Sequence, residues 1–207
     1  MTATALVVVD LQNDFCAGPR ALARYSGDPA RLEIVTANTA LAVDRARTHG
    51  IEVLFVRFVG DVEHQGPSWR RRDRVLGKRP KCLAGSWGAE FRTVSPEPGE
   101  RVFTKRACFD AFLSEGFERH LAHRGVERLV LAGLYADVCV DSTARTAFQK
   151  GFHITVLTDC TTGLHLPDVD ILRFMRALYG AHLATHDHPW TPAEEEEGAC
   201  RTPGTRG

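Results

Sequence analysis

The 207-residue chain has no surplus of charge of either sign, since 26 Lys and Arg balance 26 Asp and Glu. A neutral balance supplies no field to gather nucleic acid or an anionic membrane, so neither is expected as a partner and a small-molecule substrate fits better. Long apolar runs are also missing. Nothing approaches the roughly 20 residues that span a bilayer, and no basic n-region precedes an apolar stretch at the start, which leaves the cytoplasm as the expected compartment. The six cysteines, at 16, 82, 108, 139, 160 and 200, include no CxxC pair. That argues against a zinc ribbon or a dithiol redox motif and for free thiols in a reducing compartment. The first strand-to-helix turn, DLQND, has neither GxGxxG nor a Walker lysine, so a nucleotide cofactor finds no support.

What is present is an alternation of buried strands and helices. Apolar runs at 5–10, 51–58, 101–104, 128–132, 153–158 and 181–185 read as strands; 30–49, 114–124, the stretch from Cys139 and 168–179 read as helices. The pattern predicts an α/β fold: three layers, α/β/α, around a Rossmann-like, mostly parallel six-stranded sheet. One domain over 1–189 accommodates it. The four glutamates at 194–197 and a Pro/Gly-rich end predict a disordered tail over 190–207. Residues 59–100 read as one long irregular connection, of a kind that usually shapes a site or a subunit contact.

Chemistry concentrates where strands end. In a parallel sheet all carboxyl ends lie along one edge, so Asp10, Lys105 and Cys139, each closing a different strand, can converge despite their separation. Cys139 sits where strand 128–132 runs through a short turn into a helix, whose free N–H groups and dipole favour a thiolate and offer donors to an oxyanion. Taken singly, each has a bland alternative: Cys139 as a small buried hydrophobe, Asp10 as a turn or cap residue, Lys105 as a snorkelling cation.

Four ordered stretches change the balance: DLQNDF at 10–15, GSWGAEF at 85–91, the lysine strand with FDAF at 109–112, and GLYADVCVDSTARTA at 133–147. Together they resemble the isochorismatase-like cysteine hydrolases, a superfamily of nicotinamidases, N-carbamoylsarcosine amidases and related amide hydrolases. The resemblance implies a triad of Asp10, Lys105 and Cys139, with Asp10 as base and Cys139 as nucleophile. It also implies an oxyanion hole from the backbone N–H groups of Tyr135 and Cys139, a cis Leu134–Tyr135 peptide, and assembly as a homo-oligomer. Ala136 stands where that family usually has Thr. The implied activity is hydrolysis of a small carboxamide, carbamoyl or ureido substrate through a Cys139 thioester. Vinyl-ether cleavage by Asp10 and Lys105 without the thiol, and a non-catalytic binding protein on the same fold, are the alternatives.

Phe15, Trp87, Phe112 and Tyr135 are candidate substrate walls. The basic run Arg70, Arg71 and Arg72, beside Trp69, is a candidate clamp for a substrate carboxylate. The nicotinamidases carry an Asp-x-His metal site after strand two, and here Arg57, Phe58 and Val59 occupy those positions. Asp61 and His64 lie beyond without a third ligand, and His182, His186 and His188 read as a surface group. Neither metal nor cofactor is therefore expected.

Overall fold

The computed structural model describes residues 3–25 and 27–192. Its six strands are β1 (Thr4–Val9), β2 (Glu52–Val59), β3 (Arg101–Arg106), β4 (Arg128–Leu134), β5 (His153–Thr162) and β6 (His182–Ala184). They form one sheet in the order β3-β2-β1-β4-β5-β6, and every neighbouring pair is parallel. From β1 the chain builds outward through β2 and β3, then crosses back to place β4 on the other side of β1. The order therefore reverses between β1 and β4, and such a reversal opens a crevice beyond the strand ends where ligands bind.

Two-residue periodicity explains the layers. In β1, Ala5, Val7 and Val9 face a core shared with Leu54, Leu129 and Leu131, covered by α5 (Phe117–His123), α6 (Asp141–Gln149) and α7 (Asp168–Tyr179). Leu6 and Val8 face the opposite core with Phe55, Val130 and Ala132, covered by α3 (Pro29–Thr48). Asp28 caps α3 through a bond from the Ala30 N–H, and Pro29 starts it where no N–H is needed. The central strands β1 and β4 are buried on both faces and read as continuous apolar runs, whereas the edge strands β3 and β6 are partly exposed.

β1 and β4 approach closely at Gly133, which has φ +107°; a Cβ there would lie 1.9 Å from the Val9 carbonyl oxygen. Only glycine allows the two strands flanking the crevice to meet this tightly.

Segment 59–100 is more ordered than expected. It contains α4 (Pro67–Val75), whose start is marked by Pro67 in the first turn, besides single 3₁₀ turns at Val62–His64 and Trp87–Ala89. Two short helices, α1 (Asn13–Cys16) and α2 (Gly18–Arg24), follow β1. Trp190, the first residue of the expected tail, is buried: its carbonyl accepts from the Thr155 hydroxyl at 2.7 Å and its ring lies under Arg45. The folded unit thus reaches at least Trp190, and the rest of the tail from 193 on lies outside the described residues. No helix among those residues is long and apolar enough to cross a membrane.

Candidate active site

The turns after β1 and β4 and the end of β3 bring Asp10, Lys105 and Cys139 together. Asp10 follows the last residue of β1 in a left-handed conformation, φ 50°, which turns its side chain out of the strand's alternation. Lys105 lies inside β3, one residue later than the expected strand end, and neither side chain has any exposed surface. Its ammonium donates to Asp10 Oδ2 at 2.6 Å and to the Phe109 carbonyl at 2.8 Å. Asp10 Oδ1 is buried without a hydrogen bond of ordinary geometry, and its titrating neighbour is the Cys139 thiol.

Burial and pairing set the charges. Burial works against the Lys105 ammonium, yet Asp10 and Cys139 together outweigh it and hold the lysine above its ordinary value. Burial raises the Asp10 carboxyl, with Lys105 pulling the other way. Burial also pushes the Cys139 thiol up, the Asp10 carboxylate adds to the rise, and Lys105 opposes it. This corrects the expectation that the helix start would favour a resting thiolate. Cys139 in fact sits in a π-helical turn, Ala136–Val140, two residues before α6 begins at Asp141. Desolvation outweighs the dipole there, so the thiol stays protonated until a base takes its proton. The Leu134–Tyr135 peptide is cis.

Asp10 and Cys139 line a cavity whose walls include Phe15, Tyr135, Val138, Leu164 and His165 on one side. Segment 60–81 supplies the other, through Gln65, Trp69, Arg72 and the run Lys78–Lys81, with Phe58 and Phe109 below. The long connection therefore folds over its own chain's site. Of the expected substrate walls, Phe15 and Tyr135 are present, joined by a hydrogen bond from the Tyr135 hydroxyl to the Phe15 carbonyl. Trp87 is not: its 3₁₀ turn packs on α1, where its carbonyl takes the Asn13 amide, and its ring is 54% exposed. Phe112 is turned into the core instead, against Phe117 and Phe152.

The arginine run splits because successive helical residues point about 100° apart. Only Arg72 reaches the cavity, stacked 4.1 Å from the Trp69 ring centre and tied to Asp73. Arg70 donates to the Gln65 carbonyl from the helix flank and Arg71 is exposed, so neither lines the cavity.

Three further residues shape the site. Gln12 bridges β1 to β2 by accepting from Phe58 N–H at 2.7 Å and donating to the Phe58 and Ala89 carbonyls. Asp137, two residues before the thiol, accepts the N–H groups of Leu164, His165 and Leu166 at 2.7, 2.7 and 2.9 Å. Arg24, from α2, also lines the cavity. Gln12 is the structural anchor of the first turn that its place in DLQND suggests, whereas the partners of Asp137 and the position of Arg24 depend on how distant segments fold back and carry no local signal.

The nicotinamidase metal positions do not fit an ion. The Arg57 side chain is bonded to Thr104, Phe58 offers an aromatic ring and Val59 an alkyl group. Asp61 accepts from Ala84 N–H while His64 accepts from Arg106. The expected histidine group is dispersed as well: His186 pairs with Asp159 and His188 with Thr185 and Asp187. Asp159, Cys160 and His186 do gather donor atoms within 4.8 Å of one another, at the far side of β5 from the cavity.

An all-parallel α/β/α sheet holding a buried thiol, carboxylate and ammonium at its switch point defines a cysteine-hydrolase type of fold and site. The chain belongs to the isochorismatase family, whose domain matches residues 4–188. It is 33% identical over 172 residues to a ureidoacrylate amidohydrolase RutB of Pseudomonas syringae pv. syringae, covering 76% of this chain and 70% of that one. Among solved structures it resembles N-carbamoylsarcosine amidase from Thermoplasma acidophilum, with TM-score 0.77, 24% identity, and 92% and 100% of the two chains covered; at that identity the likeness speaks for the fold. It also resembles nicotinamidase PncA from Bacillus subtilis, with TM-score 0.74, 25% identity, and 89% and 100% covered.

Proposed function

We propose that this protein is a cysteine amidohydrolase that cleaves the C–N bond of a small ureido, carbamoyl or carboxamide compound. The observation that carries the reading is the fully buried Asp10–Lys105 pair beside Cys139 in the cavity lining. Relatives named as ureidoacrylate amidohydrolases support the same bond class.

In this reading Cys139 Sγ attacks the substrate carbonyl carbon as its proton passes to Asp10. A neutral thiol needs such a base, and a carboxylate whose pKa is raised by burial is better matched to it. Lys105 keeps Asp10 ionised before attack and balances the charge of the thiolate as it forms. The oxyanion is held by the backbone N–H groups of Tyr135 and Cys139. Asp10 then returns the proton to the departing nitrogen, leaving an acyl thioester. Water gives a proton to Asp10 and its oxygen to the acyl carbon; the product acid leaves and the thiol recovers its proton. Every step uses side chains and backbone N–H groups of this chain together with substrate and water. The protein is read as cytoplasmic, and as a homo-oligomer because the family resemblance implies one.

Ammonia release across a panel of amides, carbamoyl compounds and ureido acids tests the reading. Cys139→Ala should lose roughly a thousandfold or more while retaining its fold. A vinyl-ether hydrolase using Asp10 and Lys105 would keep its turnover in that variant, and amide turnover surviving the substitution would end the thioester mechanism.

A further inference from the structure

The cavity contains a cation that the chemistry above does not use. Arg24 reaches it from the end of α2, with its guanidinium centre 5.7 Å from the ring centres of both Phe15 and Tyr135. Its Nε and Nη2 are buried and have no hydrogen-bond partner among the described residues. Leaving two charged donors unsatisfied in a protein interior is unfavourable, and native structures rarely tolerate it without a reason.

Nε and Nη2 are the two nitrogens on one edge of a guanidinium. They form the fork that grips a carboxylate side-on. This protein uses that fork elsewhere: Arg47 binds Glu100 with Nε and Nη2, each at 2.9 Å, and Arg145 binds Asp141 with the same pair. In Arg24 the fork is made and its carboxylate is missing. No acid pairs with Arg24, Lys78, Arg79 or Lys81 among the described residues, although all four line the cavity. The two acids there are already committed, Asp10 to Lys105 and Asp73 to Arg72. The cavity is thus left with uncompensated positive charge in a chain that is neutral overall.

We propose that Arg24 is the specificity-determining residue of this site: its Nε/Nη2 fork binds a carboxylate on the substrate, which makes the substrate a ureido or carbamoyl acid. The inference rests on the amidohydrolase reading and names its substrate class. Lys78, Arg79 and Lys81 attract the anion at the mouth, and the rings of Phe15 and Tyr135 hold the guanidinium plane in place. This assigns to Arg24 the role that the arginine run of α4 was expected to fill.

The test compares N-carbamoylglycine with its methyl ester, which has the same ureido group and no charge. For Arg24→Gln, KM for the acid should rise between tenfold and a hundredfold, KM for the ester should change less than twofold, and kcat should stay near wild type for both. Arg24→Lys, which keeps the charge but loses the fork, should fall between. A second measurement separates this proposal from the reaction. Calorimetric binding of N-carbamoylglycine to Cys139→Ala, with and without Arg24→Gln, reads the carboxylate site even if no compound is turned over. Arg24-dependent binding without turnover in the wild type would count against the amidohydrolase reading alone. Equal losses for acid and ester would show that Arg24 merely packs the cavity wall and would overturn the proposal, as would acid binding that is absent or indifferent to Arg24.

Discussion

Replacing Lys105 by methionine isolates the energetics on which the site depends. Methionine has nearly the stem length of lysine, so little volume is lost and the effect is electrical. The lost ammonium had two partners, Asp10 Oδ2 at 2.6 Å and the Phe109 carbonyl at 2.8 Å, in a place with no solvent exposure on either side chain. Removing one member of a buried ion pair costs about 3–5 kcal/mol because the other charge is stranded. The orphaned carbonyl adds about 1 kcal/mol or more. Asp10 has a way out, since burial already raises its pKa and losing Lys105 removes the charge that holds it down, so it takes up a proton more readily. The stranded charge is then relieved, which keeps the total near the lower end, about 3–4 kcal/mol. A domain of this size should lose about 2–4 °C in Tm per kcal/mol, so a drop of roughly 6–16 °C is expected. The signature of the mechanism is the double variant: Asp10→Leu with Lys105→Met removes both charges and should be more stable than Lys105→Met alone. Chemical denaturation of the four proteins, read by circular dichroism, closes the cycle. Additive losses, or a Lys105→Met protein within 1 kcal/mol of wild type, would refute the coupled-pair account. Activity should fall much further than stability, because a protonated Asp10 cannot receive the thiol proton.

Cys139 should alkylate as a buried neutral thiol: with iodoacetamide and peptide-resolved mass spectrometry, its rate should keep rising with pH through pH 9, because burial holds its pKa above the ordinary value of 9.0. A plateau below pH 8 would mean that a thiolate is already present at rest. At the chain's other end, Trp190→Ala should cost about 3 kcal/mol, given its burial, while a truncation after Pro192 should leave the melting temperature unchanged. A truncation that melts several degrees lower would show that the remaining segment docks.

A strand end is marked by where an apolar run stops, and parallel strands stop along one edge, which is how Asp10, Lys105 and Cys139 could be grouped; the four ordered motifs then set them apart from a turn residue, a snorkelling cation and a buried hydrophobe. The walls were less legible. Trp87 and Phe112 are aromatics next to recognisable motifs, yet a single 3₁₀ turn decides whether each ring faces the cavity, and no residue pattern fixes that direction. Arg70 and Arg71 drew attention as part of a run, although a helix disperses consecutive residues around its axis. Arg24 has the opposite history. It ends a seven-residue helix with no periodic pattern to interpret, and only the way that helix folds back over the crevice reveals it. The charge state of the Cys139 thiol was not legible, since the helix-start rule is local and desolvation depends on everything packed around the turn.

The three N–H groups gathered by Asp137 divide the cavity into halves of different mechanical character. One carboxylate fastens the loop 164–166 to the very turn that carries Cys139, so nucleophile and one wall move as a single body. Among the described residues the opposite wall, Gln65 through Lys81, makes no hydrogen bond to the reacting groups and meets them through Trp69 against Phe109, whose carbonyl accepts from Lys105. A lineage, or an engineer, can therefore rebuild that wall to admit a different compound without disturbing the register of thiol, carboxylate and ammonium. The frame conserves the reaction, and the flap over it is where a new diet can be written.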